Sequence, residues 1–118
     1  MPSPSTLFAD IDSMEPDRFG DHLAEDVSFR FGNGDAVIGR EAVRDTWAGF
    51  CAGIDGVSHS LVEEWQTPTA TIVEAEVTYT RRNGSTVTLP VVTVYRGGEL
   101  IDDYRIFMDV APLFEAGS

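Results

Sequence analysis

Basic residues are scarce in this chain of 118 residues: 8 Lys+Arg stand against 20 Asp+Glu, giving a formal net charge of −12. A surface of that sign repels phosphate backbones and anionic lipid headgroups. No run of Lys/Arg offers a local exception, so neither nucleic acid nor a membrane surface is expected as a partner. Cysteine occurs once, at Cys51, which excludes an intrachain disulfide. Two histidines, His22 and His59, are too few for a structural zinc site, and no metal or other cofactor is expected. No apolar stretch approaches the roughly 20 residues that span a bilayer. The opening Met-Pro-Ser-Pro-Ser lacks the basic and apolar regions of a secretory leader, so the expectation is a cytoplasmic protein. What the chain does have is 42% hydrophobic residues, enough to bury a core, so its acidity is not a sign of disorder. The length supports one domain over 1–118, with residues 1–5 expected to be disordered.

The hydrophobic period changes once along the chain. Leu7, Phe8 and Ile11 recur at helical spacing, and Ser13-Met-Glu-Pro16 breaks that helix and starts another. The second helix buries Phe19 and Leu23 and is expected to stop near Asp26, before a short strand from Val27 to Phe31 and a turn at Gly32-Asn33-Gly34-Asp35. Gly39 to Ala52 reads as a third helix with Val43, Trp47, Phe50 and Cys51 on one side. Beyond it the alternation has period two, with strands expected over 57–66, 70–82, 85–96 and 99–109. Asn83-Gly84 is a hairpin signal, and Gly97-Gly98 joins the next pair. The order is α+β: three N-terminal helices packed in a curved antiparallel sheet, whose open end forms a pocket.

Three segments carry a family resemblance: Leu23-Ala-Glu-Asp-Val-Ser-Phe29, Gly39-Arg-Glu-Ala-Val43, and Gly98 to Asp109 with its terminal aspartate. In order and spacing they resemble the NTF2-like superfamily, in particular its SnoaL-like branch of ketosteroid isomerases, polyketide cyclases and limonene epoxide hydrolases. The resemblance implies a cone-shaped fold and a homodimer through the outer sheet face. It also allows the family's catalytic positions to be compared. The isomerase aspartate matches Phe31, and the isomerase tyrosine falls near Leu7. Of the five epoxide hydrolase positions, Glu74, Glu76, Ile106, Phe29 and Phe31 are the counterparts, and only Glu76 keeps a comparable group. Neither mechanism is carried over intact.

The same correspondence implies which strand faces line the pocket. It places Glu74, Glu76, Ile106, Tyr104 and Met108 inward, and parity along the third helix's following strand adds Val57 and His59. Phe29, Phe31, Leu89 and Val91 complete the wall. Glu74 and Glu76 share a face; if it is the inner one, repulsion and desolvation would leave the pair holding a proton, as acid/base catalysis needs. Val73, Ala75, Val77 and Tyr79 are the other choice for that face, which would make the two glutamates a solvated surface. His59 is a candidate second acid/base or a hydrogen-bonded rim residue. Tyr104 is a candidate donor to a substrate oxygen or a core aromatic. His22 reads as surface, Asp109 as structural, and Trp47 and Trp65 as core.

The function these residues point to is a small cofactor-independent enzyme using general acid/base chemistry on a hydrophobic small molecule. Isomerisation, cyclisation, dehydration and epoxide opening all fall within that class. The alternative is a non-catalytic module that binds a small molecule or dimerises.

Overall fold

The structure, a computed structural model, describes residues 1–114. Helix α1 (Pro4–Asp12) starts where the chain meets a proline whose missing N–H costs nothing in a first turn. Ser3 caps it, accepting from the Thr6 backbone N–H. Residues 1–5, expected to be disordered, thus cap and open a helix, and Pro4 is buried. Tyr95 adds a hydrogen bond from its hydroxyl to the Pro2 carbonyl at 3.1 Å. Helix α2 (Pro16–Gly20) is a single turn that sinks Phe19 into the core. It ends well before Asp26, because strand β1 (Leu23–Phe31) already begins at Leu23. Strand β2 (Val37–Ile38) is too short for a period to show in the sequence. Helix α3 (Arg40–Cys51) buries Val43 and turns half-buried Trp47 and Phe50 to the same side.

Four long strands follow: β3 (Gly56–Gln66), β4 (Thr71–Thr80), β5 (Thr86–Gly97) and β6 (Ile101–Phe107). A 3-10 turn at Ala111–Phe114 ends the described chain. The six strands form one sheet in the order β2-β1-β6-β5-β4-β3. Two of the three expected helices precede the first strand and the third follows β2. The expectation of an antiparallel sheet is corrected: the sheet is mixed, since β1 runs parallel to β6 while the other neighbours are antiparallel. The helices lie in the hollow of the sheet, and the buried side chains gather in two clusters. One is built on Leu7, Phe19, Val27, Tyr95 and Tyr104, and the other on Val57, Val77, Tyr79 and Leu89. No described helix is long and apolar enough to cross a membrane.

Register decides what the hollow contains. In an antiparallel pair, residues directly opposite share a face. Ala75 faces Val91, Val77 faces Leu89 and Tyr79 faces Val87, and Ala75, Val77, Tyr79, Leu89 and Val91 are all buried. Glu74 and Glu76 stand opposite Val92 and Pro90 on the outer face, and both are exposed. The inward glutamate pair is therefore corrected. Two adjacent carboxylates would need partners to stay in an apolar hollow, and the outer face leaves them in water instead.

Candidate functional site

A row of aromatic rings crosses three strands at the head of the hollow. Phe29, Tyr104 and Tyr95 are consecutive cross-strand partners on β1, β6 and β5. Phe29 stacks on Tyr104 at 5.6 Å with the planes 8° apart, and Tyr95 stacks on its other side at 6.2 Å. Phe19 meets Tyr104 edge-on at 5.3 Å, carrying the row into α2. From α3, Trp47 stacks on Phe50 at 5.5 Å, and Phe50 stands near Phe31 at 6.3 Å.

Between these rings lies a cavity of about 250 Å³. Phe19, Phe29, Phe31, Trp47, Phe50 and Tyr104 form its aromatic wall; Ile11, Ile106, Val110 and Phe114 fill the gaps, and Thr46 lies at its edge. That is slightly below the roughly 300–1,000 Å³ of drug-sized pockets, so it suits a small skeleton of one or two rings. Tyr104 brings the phenol. Burial is the main reason its hydroxyl ionises far above the ordinary tyrosine range, with the neighbouring Tyr95 adding to the shift and a hydrogen bond with Thr93 opposing it. A phenol held neutral in this way donates a hydrogen bond and does not serve as a base.

His59 lies on the same inner face of the sheet, opposite Val77 on β4. Its ring rests against Phe8 at 4.7 Å, and its side chain is 10% exposed. Asp12, the last residue of α1, holds it twice. Oδ2 accepts the His59 backbone N–H at 2.8 Å, and Oδ1 meets ring Nδ1 at 2.6 Å. An ionised carboxylate only accepts, so Nδ1 carries the proton, and in the neutral ring Nε2 is left with its lone pair. Nε2 has no partner among the described residues. The pair does not line the cavity itself, but Ile11, the neighbour of Asp12, does. The Asp12 charge also reaches the hydroxyls of Tyr79 and Tyr104, where it contributes to raising both.

Phe29, Phe31, Tyr104 and Ile106 line the cavity; Val57, Leu89 and Val91 are buried in the adjoining cluster, against which Met108 packs. Met108 accepts a hydrogen bond from the Tyr79 hydroxyl at 3.8 Å. Asp109 caps the final turn, accepting from the Ala111 N–H at 3.0 Å. Three placements differ. Glu74 and Glu76 do not join His59 and Tyr104, His22 is drawn in by Asp10 at 2.6 Å, and Trp65 is exposed.

Asp12, Phe19, Phe50 and Thr93 were not read as part of the site. Asp12 carried a usable signal. Asp10 and Asp12 close a helix that has no base in its last turn, where the helix dipole disfavours acids by about 0.3–1 kcal/mol. Acids kept there need partners elsewhere, and the two histidines are those partners. The indole Nε1 of Trp47 is the one buried side-chain polar atom without a hydrogen bond among the described residues. Its ring serves the wall as an apolar plate.

Comparison with known proteins places this architecture. A search of curated protein sequences finds no match. Among solved structures, a protein of ketosteroid isomerase-like fold from Catenulispora acidiphila, in complex with trimethylamine, is similar at a TM-score of 0.81 and 20% identity. That match covers 90% of this chain and 86% of the other. A protein described as a SnoaL-like polyketide cyclase from a Jannaschia species matches at 0.79 and 18% identity, over 96% and 93% of the two chains. An epoxide hydrolase of M. tuberculosis, of the LEH-like kind, matches at 0.78 and 14% identity, over 93% and 82%. At these identities the likeness is one of fold. The model of the SnoaL-like domain matches residues 6–99, most of the chain, and the protein belongs to the SnoaL-like domain family.

Proposed function

We propose that this protein takes a small hydrophobic molecule into the cone and orients it by a hydrogen bond from the Tyr104 hydroxyl to a carbonyl or ether oxygen. One observation carries this reading: a cavity lined by seven aromatic rings, with a buried neutral phenol among them. The similarity to a SnoaL-like polyketide cyclase and to an epoxide hydrolase agrees with a ligand of that polarity.

A second reading, turnover by general acid/base chemistry, is favoured by the His59–Asp12 pair. An aspartate that holds Nδ1 leaves Nε2 as the proton acceptor, and a base within reach of the proton it takes contributes about 10²–10⁴ in rate. The reactions in its range are isomerisation, cyclisation, dehydration and epoxide opening. In this reading the base is His59, and the outward Glu74 and Glu76 take no part.

A test uses limonene, its ketone carvone and its epoxide limonene oxide as probes. At a concentration 100 times its Kd, a ligand stabilises the fold by about 2.7 kcal/mol, read as a rise in Tm. The two oxygenated probes are expected to raise Tm more than the hydrocarbon, and Tyr104→Phe is expected to abolish the difference. No stabilisation by any of the three overturns the binding reading. Hydrolysis of limonene oxide that falls about 10²–10⁴-fold in His59→Gln supports the catalytic reading. Hydrolysis unchanged in that variant removes it.

The expected homodimer has a matching surface in this reading. On the outer face of β4 and β5, Ile72, Val92 and Val94 are apolar and half-buried, and a second copy would cover them.

A further inference from the structure

The molecule reverses its own charge on one part of the outer face. Arg30 on β1 and Arg105 on β6 are direct cross-strand partners, so their side chains leave the sheet on the same side. Like charges set opposite each other in a sheet are destabilising unless something neutralises them. Little does so here. Arg30 Nε donates to the Gly34 carbonyl at 3.0 Å, which ties the guanidinium to the turn, and its terminal nitrogens have no partner among the described residues. Among the described residues Arg105 reaches only Asp103, from Nε at 3.4 Å, and that carboxylate already takes Arg96 at 3.0 Å. Arg96 and Arg105 thus share one aspartate, and Arg30 stands beside them without an acid among the described residues, in a chain whose net charge is −12.

Arg30 and Arg105 line an open cleft of about 530 Å³ together with Asn33, Phe107, Met108 and Asp109. Asp109 is the one acid among the described residues of the lining, and its Oδ1 is engaged by the Ala111 N–H. Phe107 is 52% exposed, an aromatic ring left in water beside two under-paired cations. Guanidinium groups with free terminal nitrogens match carboxylate and phosphate oxygens in a two-pronged geometry that a point charge cannot offer.

We infer that this cleft is a binding site for a small organic anion, distinct from the aromatic cavity. Its carboxylate or phosphate is held between Arg30 and Arg105, with the Asn33 amide as a further donor. Its apolar part lies on Phe107 and Met108.

Isothermal titration at low salt tests this with phenylacetate, phenyl phosphate and inorganic phosphate. Arg30→Gln and Arg105→Gln serve as variants, and Arg18→Gln, an exposed residue paired with Glu15, serves as control. At least one of the two phenyl compounds is expected to bind, at least fivefold more tightly than inorganic phosphate. Each cleft variant is expected to weaken it tenfold or more, and Arg18→Gln to leave it unchanged. Absence of binding by both phenyl compounds, inorganic phosphate bound as tightly as they are, or an equal loss in the control overturns the proposal. So does a dimer, seen by sedimentation, that Arg105→Gln dissociates, because a second copy would then be the occupant.

Discussion

Tyr79 sits where the two halves of the hollow meet. Its ring stands edge-on to Phe50 at 5.6 Å, and its hydroxyl donates to Met108. Burial, with the Asp12 charge second, pushes its ionisation up to about 12. In the unfolded chain the same phenol loses its proton near pH 10. Between those values the unfolded state binds fewer protons than the folded one, so stability falls as pH rises from about 10 to about 12. The loss from this residue amounts to about 2–3 kcal/mol across that window. Urea denaturation at stepped alkaline pH measures it, and Tyr79→Phe is expected to flatten the decline while leaving stability at neutral pH within about 1.5 kcal/mol. Glu74 and Glu76 lie on the outer face, and their carboxylates have no hydrogen bond or ion pair among the described residues. Replacing either by Gln is expected to shift stability by less than about 0.5 kcal/mol and to leave ligand-induced Tm shifts unchanged. A clear loss of ligand response would return them to the site.

At the scale of elements, the hairpin between β4 and β5 determines which residues the hollow receives. Its loop is closed by the Arg81 N–H on the Ser85 carbonyl at 2.8 Å around Asn83-Gly84, and every partner from Thr80–Thr86 upward follows from that closure. The Asn-Gly signal was legible, as were the long strands, α3 and the apolar wall at Phe29, Phe31 and Ile106. The face of β4 was not. Val-Glu-Ala-Glu-Val alternates equally well either way, and parity alone assigns no direction. The hairpin register supplies it: once Leu89 and Val91 are inward, Val77 and Ala75 must be as well. The start of β1 was hidden for a different reason. Leu23-Ala-Glu-Asp favours helix locally, and its strand character comes from pairing with Ile101, far along the chain, across a bulge before Ser28. The β5–β6 turn depends on one glycine. Gly97 has φ of 151°, and a Cβ there would collide with the Leu100 carbonyl oxygen. Gly97→Ala is expected to cost about 1–3 kcal/mol in urea denaturation, whereas Gly98→Ala, with open space around it, is expected to cost far less.

On the scale of the whole molecule, the two faces of one sheet have different tasks. The inner face packs helices and walls the cavity, while the outer face carries an apolar strip at Ile72, Val92 and Val94 between glutamates on β4 and arginines on β5 and β6. If a second copy covers that strip, Val92→Glu is expected to convert a dimer to a monomer in sedimentation, with the aromatic cavity still answering its ligands. A wild-type chain that sediments as a monomer at every concentration refutes the dimer. The parallel pairing of β1 with β6 has a kinetic consequence. It joins strands separated by most of the chain, and Phe29 and Tyr104, the stacked pair of the ligand cavity, come one from each. Contacts of such long range carry the largest loop-closure entropy and slow folding. A ribosome must therefore release the chain beyond Tyr104 before the wall of the pocket can close, and a ligand that binds the cavity would act as a template for that closure.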